Sequence, residues 1–319
     1  MRTLTARTHR AAIPATLRAS SSTRPPPCPP PAKEAFATRA LRHDVHPGSL
    51  TGVVPPIVPA STFLLSSAEH GARLSLKDEA ASADDDGYFY SRWGSPTNHM
   101  VGGIVSSLEA CKGTLVFSSG MAAITTTLLT LLRTGDHIVC PRALYGGTHE
   151  FLTLYGESLG IQCTFVDATD MDNYRAAVRP NTRVLFAESP CNPTMRLTDL
   201  AALGALAREL GGDGGKGDGG EGQVRCVVDG TFATPYHVQP LRQFPGVDVV
   251  IHAATKYMGG HSDLLAGTVS SDDEDLLQRV AKGAKLFGGV LPVRCEGDVR
   301  GCGMMWDGGE MRDRMFDRG

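Results

Sequence analysis

Seven short apolar runs, TLVF, HIVC, QCTFV, VLFA, VRCVV, DVVI and AGTVS, recur between residues 114 and 270, with helical stretches between them. Short strand-like runs separated by helices have one economical packing, a mostly parallel sheet covered by helices on both faces. A chain of 319 residues that is 41% hydrophobic supplies one large core, and a net charge of −3 offers no electrostatic case for nucleic acid. No apolar run approaches the ~20 residues needed to span a bilayer. The eight cysteines show neither a CxxC pair nor metal-ligand spacing, so they read as free thiols in a reducing compartment, with no metal site.

Open sheets of this kind carry their chemistry at the carboxyl ends of the strands. Lys256 stands there, in HAATKYMGGHSD (252–263), directly after the run DVVI (248–251). An amine behind so apolar a run is expected to be desolvated, which would lower its pKa and expose a nucleophile. Such a lysine suits Schiff-base formation with an aldehyde, and pyridoxal 5′-phosphate (PLP) is the commonest biological aldehyde of this kind.

A PLP site needs an acid facing the pyridine nitrogen, a phosphate cradle and a flat group over the ring. Asp229 ends the run VRCVV (224–228) and opens GTFATP, so its carboxylate is placed to hold the ring proton; taken alone it is equally an ordinary strand-end or capping aspartate. FSSGMAAITTTLLTLLR (117–133) reads as a strand, a turn and a helix, so the main chain of Ser119, Gly120 and Met121 can receive a phosphate at the helix N-terminus, or merely form a cap. Tyr145, in LYGGTHEF (144–151), follows the strand HIVC (137–140); Gly146 and Gly147 place it in a loop, where its ring can stack and its hydroxyl can move a proton, although a core tyrosine is the plainer alternative.

These residues resemble the Cys/Met-metabolism PLP-dependent enzymes, which include cystathionine γ-synthase and γ-lyase, methionine γ-lyase and O-acetylhomoserine sulfhydrylase. The resemblance runs from ATRALRHD (37–44) to FGGV (287–290). It includes YSRWGSPTN (90–98), SSGM (118–121), LYGGT (144–148), ESPCNPT (188–194), DGTFATPY (229–236) and ATKYMGGHSD (254–263). It implies the large domain of a type I, aspartate-aminotransferase-like PLP enzyme. It makes Lys256 the Schiff-base lysine, Asp229 the pyridinium partner and Tyr145 the stacking residue. Asn192 would bond the cofactor's phenolic oxygen, with Thr231 and Glu188 in support, and Gly120, Met121 and Thr255 would hold the phosphate. Tyr90 and Arg92 resemble a pair that reaches the phosphate of a neighbouring subunit, which implies a homo-oligomer: a dimer of site-sharing subunits, assembled as a tetramer.

The chain departs from the family pattern in places. Ala253 stands where HSATK is common, removing one phosphate hydroxyl, and Gly230 stands where DNTF or DATF is usual, adding backbone freedom beside Asp229. Residues 291–319 show neither helical nor strand periodicity, and an aberrant tail is expected in place of the family's C-terminal domain, whose arginine binds the substrate carboxylate. Residues 1–35 are rich in Arg, Ser, Thr and Pro, with no acid before Glu34. They read as a disordered leader, either an organellar transit peptide for plastid or mitochondrion or a tail without an address on a cytoplasmic protein. The expected organisation is completed by an N-terminal arm at 36–98 and a PLP-binding domain at 99–290. The run GGDGGKGDGGEG (211–222) lacks P-loop spacing and reads as a flexible surface insertion.

The function expected is γ-elimination on cystathionine or a related sulfur amino acid. Lys256 would take the α-proton, and removal of a β-proton would then expel the γ-substituent. Gly147 stands where the best-studied methionine γ-lyases carry Cys, which favours a cystathionine enzyme. The alternatives are a cystathionine γ-synthase acting on an activated homoserine, a methionine γ-lyase, and a truncated PLP-binding paralogue without turnover. A nucleotide-binding protein is disfavoured, because no GxGxxG follows any strand-like run.

Overall fold

A computed structural model describes residue 39 and residues 56–76, 87–211 and 223–292. The leader, most of ATRALRHD, the glycine run and the tail after residue 292 lie outside the described residues.

All seven apolar runs form strands. In chain order these are β1 (Gly113–Phe117), β2 (His137–Pro141), β3 (Gln162–Val166), β4 (Thr182–Glu188), β5 (Arg225–Asp229), β6 (Val249–His252) and β7 (Gly267–Ser271). They make one sheet in the order β1-β7-β6-β5-β4-β2-β3. Only β7 pairs antiparallel with its neighbours, so the other described strands end on the same edge. The helices are α1 (Ala68–Leu76), α2 (Pro96–Glu109), α3 (Gly120–Leu131), α4 (Gly146–Glu150), α5 (Met171–Ala177), α6 (Leu200–Gly211), α7 (Thr234–His237), α8 (Pro240–Gln243) and α9 (Glu274–Phe287); α4 runs on into a π-helical turn at Phe151–Gly156.

The period-two alternation of the strands divides the core between the two faces of the sheet. Val184, Phe186, Val227 and Ile251 point to the face covered by Ile124 and Leu128 of α3 and by Leu276 and Val280 of α9. Leu185, Cys226, Val228 and Val250 point to the other, covered by Tyr174 of α5 and by Leu200, Leu203 and Leu206 of α6. The Tyr174 hydroxyl is buried and donates to the Phe186 carbonyl, so its polar tip is satisfied. A third cluster joins Met100 and Val101 of α2 to Val116, Ala254, Leu264 and Ala266, which ties α2 to the chain on either side of Lys256.

The helix ends are written in the sequence. Ser95 caps α2 by accepting from the Asn98 amide, with Pro96 in the first turn, and Asp273 caps α9 through the Leu276 amide. Ser119 caps α3 through the Ala122 amide, so its hydroxyl serves the helix as well as standing at the expected phosphate cradle.

Candidate active site

Apart from Tyr90 and Arg92, the expected site residues converge at the carboxyl ends of β1, β2, β4, β5 and β6, the edge that open α/β sheets use for ligands. Glu188 and Asp229 close β4 and β5 in direct register. Both side chains are 5% exposed. Glu188 works as a clamp: Oε2 accepts from the Tyr145 amide at 2.6 Å and Oε1 from the Asn192 amide at 2.8 Å. One carboxylate therefore fixes the start of the Tyr145 segment and the ESPCNP loop together. Burial, then repulsion by Asp229, pushes the Glu188 carboxyl up to about 7, with the two amide bonds pulling the other way.

Asp229 is held from one side. Oδ1 accepts from the Thr231 amide at 3.0 Å and from its hydroxyl at 2.5 Å, and the same hydroxyl accepts from the Ala253 amide at 2.8 Å. Thr231 thus couples the β5 carboxylate to the turn that carries Lys256. Oδ2 has no hydrogen-bond partner among the described residues and remains available to a donor. Burial raises the Asp229 carboxyl; the Thr231 hydrogen bonds and the charge of His252 oppose it.

The cradle closes the circuit. A Cβ on Gly120 would stand 2.6 Å from the Cβ of Ala253 and 2.9 Å from its Cα, so only glycine lets the N-terminus of α3 seat against the residue three before Lys256. The first-turn amides of Gly120 and Met121 have no partner within the helix and carry its positive pole. Tyr145 is 42% exposed. A Cβ on Gly147 would meet its ring at 2.7 Å and the Met121 sulfur at 3.0 Å. Tyr145 stands in the loop before α4, as expected, at that helix's N-cap, and Gly146 and Gly147 open the helix.

Lys256 requires a correction. It lies in the turn after β6, its amide bonded to the Ala253 carbonyl, and it is exposed rather than desolvated. The turn carries it past the end of the buried strand, so the apolar run before it does not enclose the amine. The Thr255 hydroxyl is 3.2 Å from the Ala266 amide and donates to the Ala266 carbonyl at 3.4 Å, which holds the turn against the segment entering β7. Tyr90 and Arg92 have their contacts elsewhere: Arg92 donates to the Lys285 carbonyl near the end of α9 and lies over the Trp93 and Tyr90 rings at 4.9 and 5.5 Å. His252 and Glu109 form a buried pair next to this site that the sequence does not signal, because nothing local links residues so far apart.

A PLP-type cofactor fits these donors. Asp229 offers a free carboxylate oxygen to a ring N–H, α3 offers amides and a positive pole to a phosphate, Tyr145 offers an exposed ring, and Lys256 offers an exposed amine. The family model for Cys/Met metabolism PLP-dependent enzymes matches residues 37–300. The chain belongs to that family. It is 36% identical over 246 residues to a probable cystathionine gamma-synthase of Herpetosiphon aurantiacus, covering 77% of this chain and 68% of that protein. It is 39% identical over 235 residues to an L-methionine gamma-lyase of Pseudomonas putida, covering 73% and 54%. The cystathionine gamma-lyase of Lactobacillus plantarum, solved with L-serine, superposes with a TM-score of 0.72 at 30% identity, covering 85% of this chain and 63% of that one. The chain therefore spans between about half and two thirds of the length of these family members, and the fold they share with it is the PLP-dependent α/β type that the family resemblance implied, built on the mostly parallel sheet that the strand pattern implied.

Proposed function

We propose that this chain is a PLP-dependent carbon–sulfur lyase acting on cystathionine or a related sulfur amino acid by γ-elimination. One observation carries the reading. Hydrogen bonds join Tyr145 through Glu188 to Asn192 and Asp229 through Thr231 to Ala253, Ala253 lies against Gly120 at the N-terminus of α3, and Gly147 lies close to both the Tyr145 ring and the Met121 sulfur. These contacts gather an acid, an N-terminal helix pole and an aromatic ring at one strand edge.

Bound PLP would supply an aldehyde for an amine and a protonated ring that draws electrons from the substrate's α-carbon. Asp229 Oδ2 would hold the ring N–H, and the amides of Gly120 and Met121 the phosphate, with Ser119 and Thr255 beside them. Asn192 would hold the phenolic oxygen and Tyr145 would cover the ring. Lys256 Nζ would take the proton from the substrate Cα, hand it on and take a second from Cβ, after which sulfur leaves from Cγ. The exposed position of Lys256 suits an amine that must swing between these carbons. Tyr90 and Arg92 are proposed to serve a neighbouring subunit's phosphate in a homo-oligomer, which agrees with their lying apart from the other candidates.

The test is product analysis with the PLP-loaded full-length chain. Cystathionine should yield cysteine, ammonia and a four-carbon keto acid. Keto acid from methionine alone, or a replacement product formed only from an activated homoserine and cysteine, would move the assignment to the methionine lyase or the γ-synthase. No product from any of them would leave a PLP-binding paralogue.

A further inference from the structure

Glu109 closes α2 and His252 closes β6, and their side chains are 0% and 1% exposed. His252 Nε2 lies 2.5 Å from Glu109 Oε1. The other atom of each group, Glu109 Oε2 and His252 Nδ1, is buried without a hydrogen-bond partner among the described residues.

A carboxylate in this place is costly twice over. It is removed from water, and it sits at the negative end of the α2 macrodipole. A positive partner offsets both penalties, and the side chain in contact with it is the imidazole. Such a pair stabilises a fold no better than apolar side chains of equal volume, so stability alone does not give it a use.

The far side of the ring supplies that use. A Cβ on Gly230 would stand 2.9 Å from His252 Cε1 and 3.5 Å from Nδ1. Glycine directly after Asp229 therefore lets the imidazole lie against the strand end that carries that carboxylate. Close approach explains this glycine better than the backbone freedom its sequence position suggested. His252 also acts electrostatically on Asp229, opposing the effect of burial.

We propose that Glu109 and His252 form a buried carboxylate–imidazolium pair whose positive charge keeps Asp229 ionised, which makes His252 a positioning residue for the contact to the cofactor's ring nitrogen. The inference rests on the PLP reading of the site. Among the described residues, the charged groups acting here are Glu109 from α2, Asp229 from β5 and, behind Asp229, Glu188 from β4, whose repulsion works the opposite way.

Two measurements on the full-length chain test it. Histidine-selective nitrogen-15 spectra of the wild type, assigned with His252→Gln or by the resonance that shifts in Glu109→Gln, should show both His252 nitrogens protonated at about pH 7. The affinity of the apo protein for PLP, followed by fluorescence titration, should fall roughly tenfold in Glu109→Gln near about pH 6 and by less at higher pH, because an Asp229 that has lost its cationic neighbour protonates sooner. A neutral His252 in the wild type, unchanged affinity at every pH, or a loss equal at every pH would overturn the proposal. If Glu109→Gln does not fold, His252→Gln takes its place in the affinity titration with the same expected pH dependence, and a neutral His252 in the wild-type spectra still overturns the proposal. A wild-type chain that binds no PLP sinks the functional reading, and with it the use assigned to the pair, while the spectra still fix the pair's charge.

Discussion

Glu188 and Asp229 stand directly opposite each other at the ends of neighbouring parallel strands, two buried carboxylates within one register step. Each answers the repulsion differently. Glu188 spends both oxygens on main-chain amides, and Asp229 spends one on Thr231 and keeps one free. That division of labour makes Glu188 the clamp and Asp229 the ligand.

The clamp has a pH signature. The Glu188 carboxyl is raised from 4.5 to about 7, so between those values the folded state holds a proton that the unfolded chain has released. Stability should therefore fall as pH rises through that window, by up to about 3 kcal/mol for the full displacement. Glu188→Gln removes the titration, and it also sets an amide NH₂ against one of the two backbone N–H groups. Denaturant midpoints at a series of pH values should show a flatter profile in the variant than in the wild type. Parallel profiles would mean that Glu188 does not titrate there.

Thr231→Val keeps shape but deletes the hydroxyl that joins Asp229 to the Ala253 amide. The unpaired amide should cost about 1–3 kcal/mol in the denaturation midpoint. PLP affinity should drop as well, since Asp229 loses a donor. A midpoint and an affinity both equal to wild type would show that this bridge is not formed.

How much of this was legible in the sequence depends on which contacts are local. The seven strands were, because runs such as VRCVV and DVVI are apolar, β-branched and bounded by loops. The cap at Ser119 and the carboxyl-edge positions of Asp229 and Lys256 followed from the same runs. The exposure of Lys256 is not legible, since an apolar strand fixes where the next residues emerge but not whether the turn points outward. The loop position of Tyr145 is legible from the paired glycines, but those glycines themselves open α4, which a turn signal does not foretell. The Glu188 clamp binds backbone amides, and Glu109 meets His252 across 143 residues; neither contact leaves a local pattern.

Gly120→Ala tests the cradle. Its Cβ would intrude on the Ala253 backbone, so α3 and the Lys256 turn must move apart. We expect a loss of about 1–3 kcal/mol in stability, with PLP affinity falling further than any global destabilisation explains. Wild-type affinity in the purified variant would remove the N-terminus of α3 from the phosphate site.

Arg92 binds the Lys285 carbonyl of its own chain. If it also serves a neighbour's phosphate, Arg92→Ala and Lys256→Ala proteins should each be nearly inactive, and verified mixed oligomers should regain part of the activity. No recovery would leave Arg92 as a ligand of the end of α9 alone.

The most direct measurement is chemical. Reconstituting the purified full-length chain with PLP, reducing it with borohydride and mapping the labelled peptide should place the cofactor on Lys256 alone, in ATKYMGGHSD. A label on Lys282 or Lys285, or no visible chromophore and no label, would contradict the assignment of this strand edge as the active site.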